Sequence, residues 1–138
     1  MMRGALGGLR VGDVMSRDPA VAPGWITVDE FMRTYASGQH ANAYPLKTFD
    51  GAVDGIVTLV RLAQVPQEER RARRVRDFGT GMDRVAMARP GEPLSAVLNR
   101  FSASGDGQML VMDDGKLVGT LSASDVIRAL GGAARSSS

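Results

Sequence analysis

The sequence has no cysteine. Disulfides and thiolate chemistry are therefore excluded, which suits a reducing cytoplasm. It has a single histidine, His40. That excludes a histidine-rich metal site, and no HExxH pair can exist. No arrangement of histidine and acid marks a serine as a nucleophile. No glycine-rich loop ending in Lys-Ser or Lys-Thr is present. Apolar runs stay far below the roughly 18 residues of a membrane span. Met1 to Leu9 lacks the apolar stretch of a signal peptide. The charges nearly cancel, leaving a formal net charge of +2. That is too little to imply a nucleic-acid partner. With no catalytic set visible, the expectation is a non-enzymatic protein that needs no cofactor.

What is abundant is glycine, 17 residues of 138, which suggests many tight turns, and the chain repeats itself. Val11-Gly12-Asp13-Val14 matches Val75-Arg76-Asp77-Phe78, and Pro23-Gly24 and Pro90-Gly91 each give a turn signal ahead of a helix. Val28, Phe31, Met32 and Tyr35 form an apolar stripe at helical spacing, as do Leu94, Val97, Leu98 and Phe101. Thr27 and Glu30 read as a capping box, and Pro93 suits the first turn of the second helix. Strands are expected at Ala43-Lys47 and Val53-Thr58, and again at Gln108-Met112 and Lys116-Leu121. An Asp-Gly pair joins each couple, a hairpin signal. A short helix closes each half. The second is expected to start at Ser122, bury Val126, Ile127 and Leu130, and stop at Gly131-Gly132, before a fraying tail.

The chain thus divides into a leader (1–10), a first repeat (11–66), a charged linker (67–74), a second repeat (75–132) and a tail (133–138). Each repeat reads strand, helix, strand, strand, helix, an α/β (α+β) class. A half of this size has a marginal core by itself. Met32 and Met109 read as packing residues, and Trp25 as an apolar anchor ahead of the first helix.

The chemistry-bearing segment is Gly119-Thr120-Leu121-Ser122-Ala123-Ser124-Asp125. A strand runs into a helix start, where free N–H groups attract anions. Ser122 can donate to a phosphate, and Asp125 can accept from vicinal hydroxyls. The same two residues also make an ordinary helix cap. Arg70-Arg71-Ala72-Arg73-Arg74-Val75-Arg76, following Glu68 and Glu69, reads as a solvated face with local ion pairs. The other reading of Arg70, Arg71, Arg73 and Arg74 is attraction to anionic lipid, about 1 kcal/mol per basic residue.

The pattern from Val11 to Leu130 resembles a tandem pair of CBS domains. Asp13-Val14-Met15 looks like the opening of such a repeat, Tyr44-Pro45-Leu46 like its proline-bearing strand, and the Gly119 to Asp125 segment like its ligand loop. The resemblance implies two βαββα repeats packed sheet to sheet with pseudo-two-fold symmetry. It also implies a regulatory role, a homodimer, and an adenosine-containing ligand such as AMP or ATP in a cleft. Ser122 then takes the phosphate side and Asp125 the ribose, with Thr120 and Thr58 beside the same loops. The first repeat, Gly55-Ile56-Val57-Thr58-Leu59-Val60-Arg61, keeps Thr58 but has Arg61 where the family has Asp. Met109 stands in place of the second repeat's proline. Leu9 to Met15, Ser37 to Pro45, and Thr58 to Leu62 leading to Val65-Pro66 resemble the cytoplasmic CBS region of bacterial site-2-type intramembrane zinc proteases. That implies an attached membrane protease domain. The alternative is a ligand-free module for dimerisation or partner binding.

Overall fold

The computed structural model describes residues 8–36, 42–101 and 107–136, with side chains of the last helix as far as Gly131. His40 lies outside them. In chain order the elements are α1 (Val11–Val14), β1 (Ser16–Arg17), β2 (Ala22–Pro23) and α2 (Val28–Phe31), which continues as a π-helical turn (Met32–Ala36). Then come β3 (Ala43–Lys47), β4 (Val53–Thr58), α3 (Leu59–Ala63) and two 3-10 turns (Gln67–Glu69, Val75–Phe78). The chain ends with β5 (Thr80–Gly81), β6 (Ala86–Ala88), α4 (Leu94–Val97), β7 (Gln108–Asp113), β8 (Lys116–Ser122) and α5 (Ala123–Ser136).

Two four-stranded sheets result, ordered β2-β3-β4-β5 and β1-β8-β7-β6. In each, an antiparallel hairpin (β3–β4 or β7–β8) holds a parallel strand on one side and a short antiparallel strand on the other. The mixed α/β class and the repeated pattern are those expected. Both hairpins slip register at corresponding points, Leu46/Lys47 and Val111/Met112.

The compact units cut across the sequence repeats. One unit is Met1–Pro19 with Ala86–Ser138, and the other is Ala20–Val85. The segment opening the first repeat packs with the second repeat's sheet, and the segment opening the second repeat packs with the first. The docking is the same twice over. Val11 N–H donates to Glu92 O and Gly12 N–H to Pro90 O, just as Val75 N–H donates to Ile26 O and Arg76 N–H to Gly24 O. The guanidinium of Arg10 reaches Gly91 O (2.5 Å), and that of Arg74 reaches Trp25 O (2.6 Å). Asp13 and Asp77 each accept the N–H three residues back, closing a one-turn box.

Each unit has its own core. Ala20–Val85 buries Val28, Phe31, Tyr44, Leu46, Val57, Leu62 and Val75, with Met32 and Tyr35 packed against them. Phe31 meets Tyr44 edge-on at 5.0 Å, and the buried Tyr44 hydroxyl donates to Tyr35 O. The other unit buries Val11, Met15, Leu94, Val97, Met109, Val111, Leu121 and Val126. Both apolar helix stripes thus face a core, and Val11 and Met15 come from the exchanged segment.

Three local expectations are corrected. Ile127 is exposed (68%), while Val126 is buried and Leu130 packs on the core. Consecutive residues on a helix point about 100° apart, and with Asp125 and Val126 both turned inward Ile127 falls beyond the buried arc. Gly131-Gly132 does not stop α5, which runs to Ser136. Each glycine costs the helix about 1 kcal/mol, and Ala133-Ala134-Arg135 beyond are good helix formers. The pairing register aligns Met109, opposite Leu121, with Tyr44, opposite Val57. The counterpart of Pro45 is therefore Leu110, one residue later than the sequence comparison placed it.

Candidate functional site

The two motifs occupy equivalent places, each where the second hairpin strand runs into a helix. The glycine that opens each motif has a steric reason. A Cβ on Gly119 would lie 2.7 Å from Ser16 O and 2.8 Å from Met15 Sδ, and one on Gly55 would overlap Thr80 O. The exchanged strand, β1 or β5, crosses at that point, and only glycine lets two backbones come so close.

At the second motif, Ser122 and Asp125 form a reciprocal box. Ser122 N–H donates to Asp125 Oδ2 (2.9 Å), and Asp125 N–H donates to Ser122 Oγ (3.1 Å). Asp125 is only 6% exposed, the one buried charged or polar side chain among the described residues. Burial of a carboxylate costs free energy unless its oxygens are satisfied. Here they are. Ser16 Oγ lies 3.3 and 3.5 Å from the two oxygens, and Arg128 Nη2 lies 2.5 Å from Oδ1. Thr120 sits in β8 between Ser16 and Leu110, two residues before Ser122.

At the first motif, Thr58 caps α3 by accepting from Arg61 N–H (3.3 Å). The Arg61 guanidinium turns to Phe78 O (3.2 Å), in the exchanged segment. A guanidinium has no lone pair for a hydroxyl donor. The two helix starts therefore share a geometry and differ in chemistry: one offers a carboxylate, the other a cation.

The structure brings Ser122 and Asp125 together as expected, with Thr120 on the adjoining strand and Thr58 at the equivalent place in the other motif. Sequence reasoning missed Ser16 and Arg128. Arg128 was legible as an i,i+3 partner of Asp125. Ser16, 109 residues from Asp125, left no local signal.

The arginine-rich linker is largely occupied. Arg70 donates to Val65 O and Ala63 O, closing the end of α3. Arg73 pairs with Glu69 and Asp77 and lies over the Phe78 ring. Arg74 holds Trp25 O.

Over residues 75–132 the chain matches the family model of the CBS domain. Over 122 residues it is 38% identical to "Putative zinc metalloprotease Rip3" of Mycobacterium tuberculosis, a match covering 88% of this chain and 31% of the relative. The chain thus spans under a third of that protein's length. Its fold is similar to the CBS domain of a bacterial CNNM/CorC family Mg2+ transporter in complex with ATP (TM-score 0.78, 16% identity, 92% of this chain and 90% of that one). It is also similar to the CBS domain pair of protein MJ0100 in complex with 5′-methylthioadenosine and S-adenosyl-L-methionine (TM-score 0.73, 24% identity, 89% and 96%). No helix among the described residues is long and apolar enough to cross a membrane.

Proposed function

We propose that this chain is the regulatory CBS pair of a membrane zinc metalloprotease, held at the cytoplasmic face and responsive to an adenosine-containing ligand. The observation that carries the protease association is the match to Rip3, which takes in nearly all of this chain and a minor part of the relative. Two proteins of the same fold bind ATP, or methylthioadenosine and S-adenosylmethionine. In this chain the ligand uses Ser122 and Asp125, with Thr120 alongside, and disfavours the Thr58 loop, where Arg61 lacks an acceptor.

The test is a thermal-shift and equilibrium-dialysis series with AMP, ATP and S-adenosylmethionine. A ligand at 100 times its dissociation constant adds about 2.7 kcal/mol of folding stability. Wild type should shift, Asp125→Ala should lose most of the shift, and Arg61→Ala should keep it. No shift by any of them at millimolar concentration rejects the ligand.

One observation favours a ligand-free interaction module: the Asp125 carboxylate is already satisfied within the chain. In that reading Ser122 and Asp125 are a helix cap. The exposed Ile127 of α5 and Val60 of α3 (68% and 69%) are then contact residues of a homodimer, and light scattering on the same samples reads the mass. Arg71, the exposed member of the linker arginines that pairs with no group described above, is what remains for a lipid surface once Arg70, Arg73 and Arg74 are engaged internally.

A further inference from the structure

Arg128 is the residue that the proposed ligand must displace. Its guanidinium sits 2.5 Å from Asp125 Oδ1, on the oxygen a ribose hydroxyl would need. The two ends of this pair differ sharply: the Asp125 side chain is 6% exposed and that of Arg128 is 71% exposed. The carboxylate is fixed by Ser122 N–H and by burial. The arginine is held at one point and otherwise stands in solvent. An ion pair with one end so exposed is weak, so release of the guanidinium costs little, while the carboxylate cannot be left bare. A vicinal diol supplies the replacement donors. The freed guanidinium remains one helical turn from the site, with every N–H available to an anion.

We propose that Arg128 is a specificity-determining residue that alternates between two partners: Asp125 when the site is empty, and the phosphate of a bound nucleotide when it is filled. The site therefore selects 5′-phosphorylated nucleosides over nucleosides that carry the same diol. A nucleoside removes the guanidinium from Asp125 and returns nothing to it. A nucleotide removes it and offers a stronger oxyanion partner, a phosphate that the planar guanidinium meets with two N–H groups. This inference rests on the ligand reading above and adds the selection rule. Arg61 cannot play the same part, because its guanidinium faces a backbone carbonyl rather than a carboxylate.

The experiment measures dissociation constants for AMP and adenosine with the intact chain, by calorimetry, for wild type, Arg128→Ala, Arg128→Lys and Asp125→Ala. Wild type should prefer AMP. Arg128→Ala should weaken AMP by on the order of tenfold, the loss of one charged hydrogen bond, and leave adenosine equal or tighter, so that the AMP-to-adenosine preference collapses. Arg128→Lys keeps the charge without the fork and should fall between. Because Arg128 is a surface side chain, these variants are expected to keep the wild-type circular dichroism. An unchanged AMP-to-adenosine ratio in Arg128→Ala, with binding still lost in Asp125→Ala, overturns the role of Arg128 and leaves the ligand reading standing. A parallel fall for both ligands overturns it as well. Failure of wild type and Arg128→Ala alike to bind either compound overturns both.

Discussion

At the scale of single residues, Glu92 and Arg100 form a bidentate ion pair, where two parallel contacts of 2.7 and 2.9 Å join side chains about one-third exposed. Arg100 also donates to Met87 O, so one guanidinium ties the turn before α4 to β6. The Arg100 guanidinium, and after it the Arg89 N–H, hold the Glu92 carboxyl down from its ordinary 4.5 to about 2. A carboxylate held low in the folded state contributes stability that is complete above about pH 4.5 and is lost as the pH falls toward 2. Solvent screening at this exposure limits the contribution to about 1 kcal/mol. Arg100→Ala should therefore lower the urea midpoint at pH 7, and the gap to wild type should close in titrations carried down to pH 2. A gap that persists unchanged at pH 2 would show that the loss was one of packing instead.

At the scale of elements, the exchanged strands depend on the glycines they cross. β1 pairs with β8 through only Ser16 and Arg17, so its docking rests on close approach at Gly119. A methyl group there meets a backbone carbonyl and the Met15 sulfur, and the carbonyl cannot swing aside as a side-chain end could. Gly119→Ala should cost about 1–3 kcal/mol by overpacking. The damage should be local: hydrogen exchange of the amides at 15–17 should rise before that of β7. Uniform acceleration across β7 and β8 would contradict this placement. A separate difference between the repeats lies at the hairpin tips. Trp25 stacks on Phe49 at 4.1 Å in the first repeat, whereas Gly91 and Asp114 hold the equivalent places in the second. There Met87, Arg89, Met112 and Asp114 line an open cavity of about 670 Å³.

At the scale of the whole molecule, the exchange of opening segments means that neither repeat contains its own complete core. The segment 75–132 lacks Val11 and Met15, two members of the core that its own Leu94, Met109 and Leu121 form. It carries instead Val75, which packs in the other unit. Removing even one such buried side chain costs about 2–5 kcal/mol, comparable with the whole stability of a small domain. An isolated 75–132 fragment should show no cooperative thermal transition by circular dichroism. A chain joining 9–19 to 86–132 through a flexible linker should recover one. A sharp transition in 75–132 alone would mean that the exchanged segment is dispensable.

The sequence by itself determined the periodic part of this protein. The stripes at Val28 and Leu94, the Asp-Gly hairpins and the Ser122–Asp125 box are local patterns, and local patterns set elements through spacing and capping. They were legible because each partner lies within about one turn of the other or across a tight hairpin. What only the tertiary structure decided are the long-range choices. Nothing near Val11 says that it will bond Glu92 and pack with Leu94 rather than Val28, because both docking places have nearly the same turn. The strand register, not the residue types, paired Leu110 with the position of Pro45. The Asp125 carboxylate was readable as an acceptor with Arg128 one turn along, but that Ser16 also fills it depends on the path of β1. Burial then makes donors at that carboxylate obligatory, whether they come from the chain or from a ligand, since a buried carboxylate costs free energy unless its oxygens are satisfied.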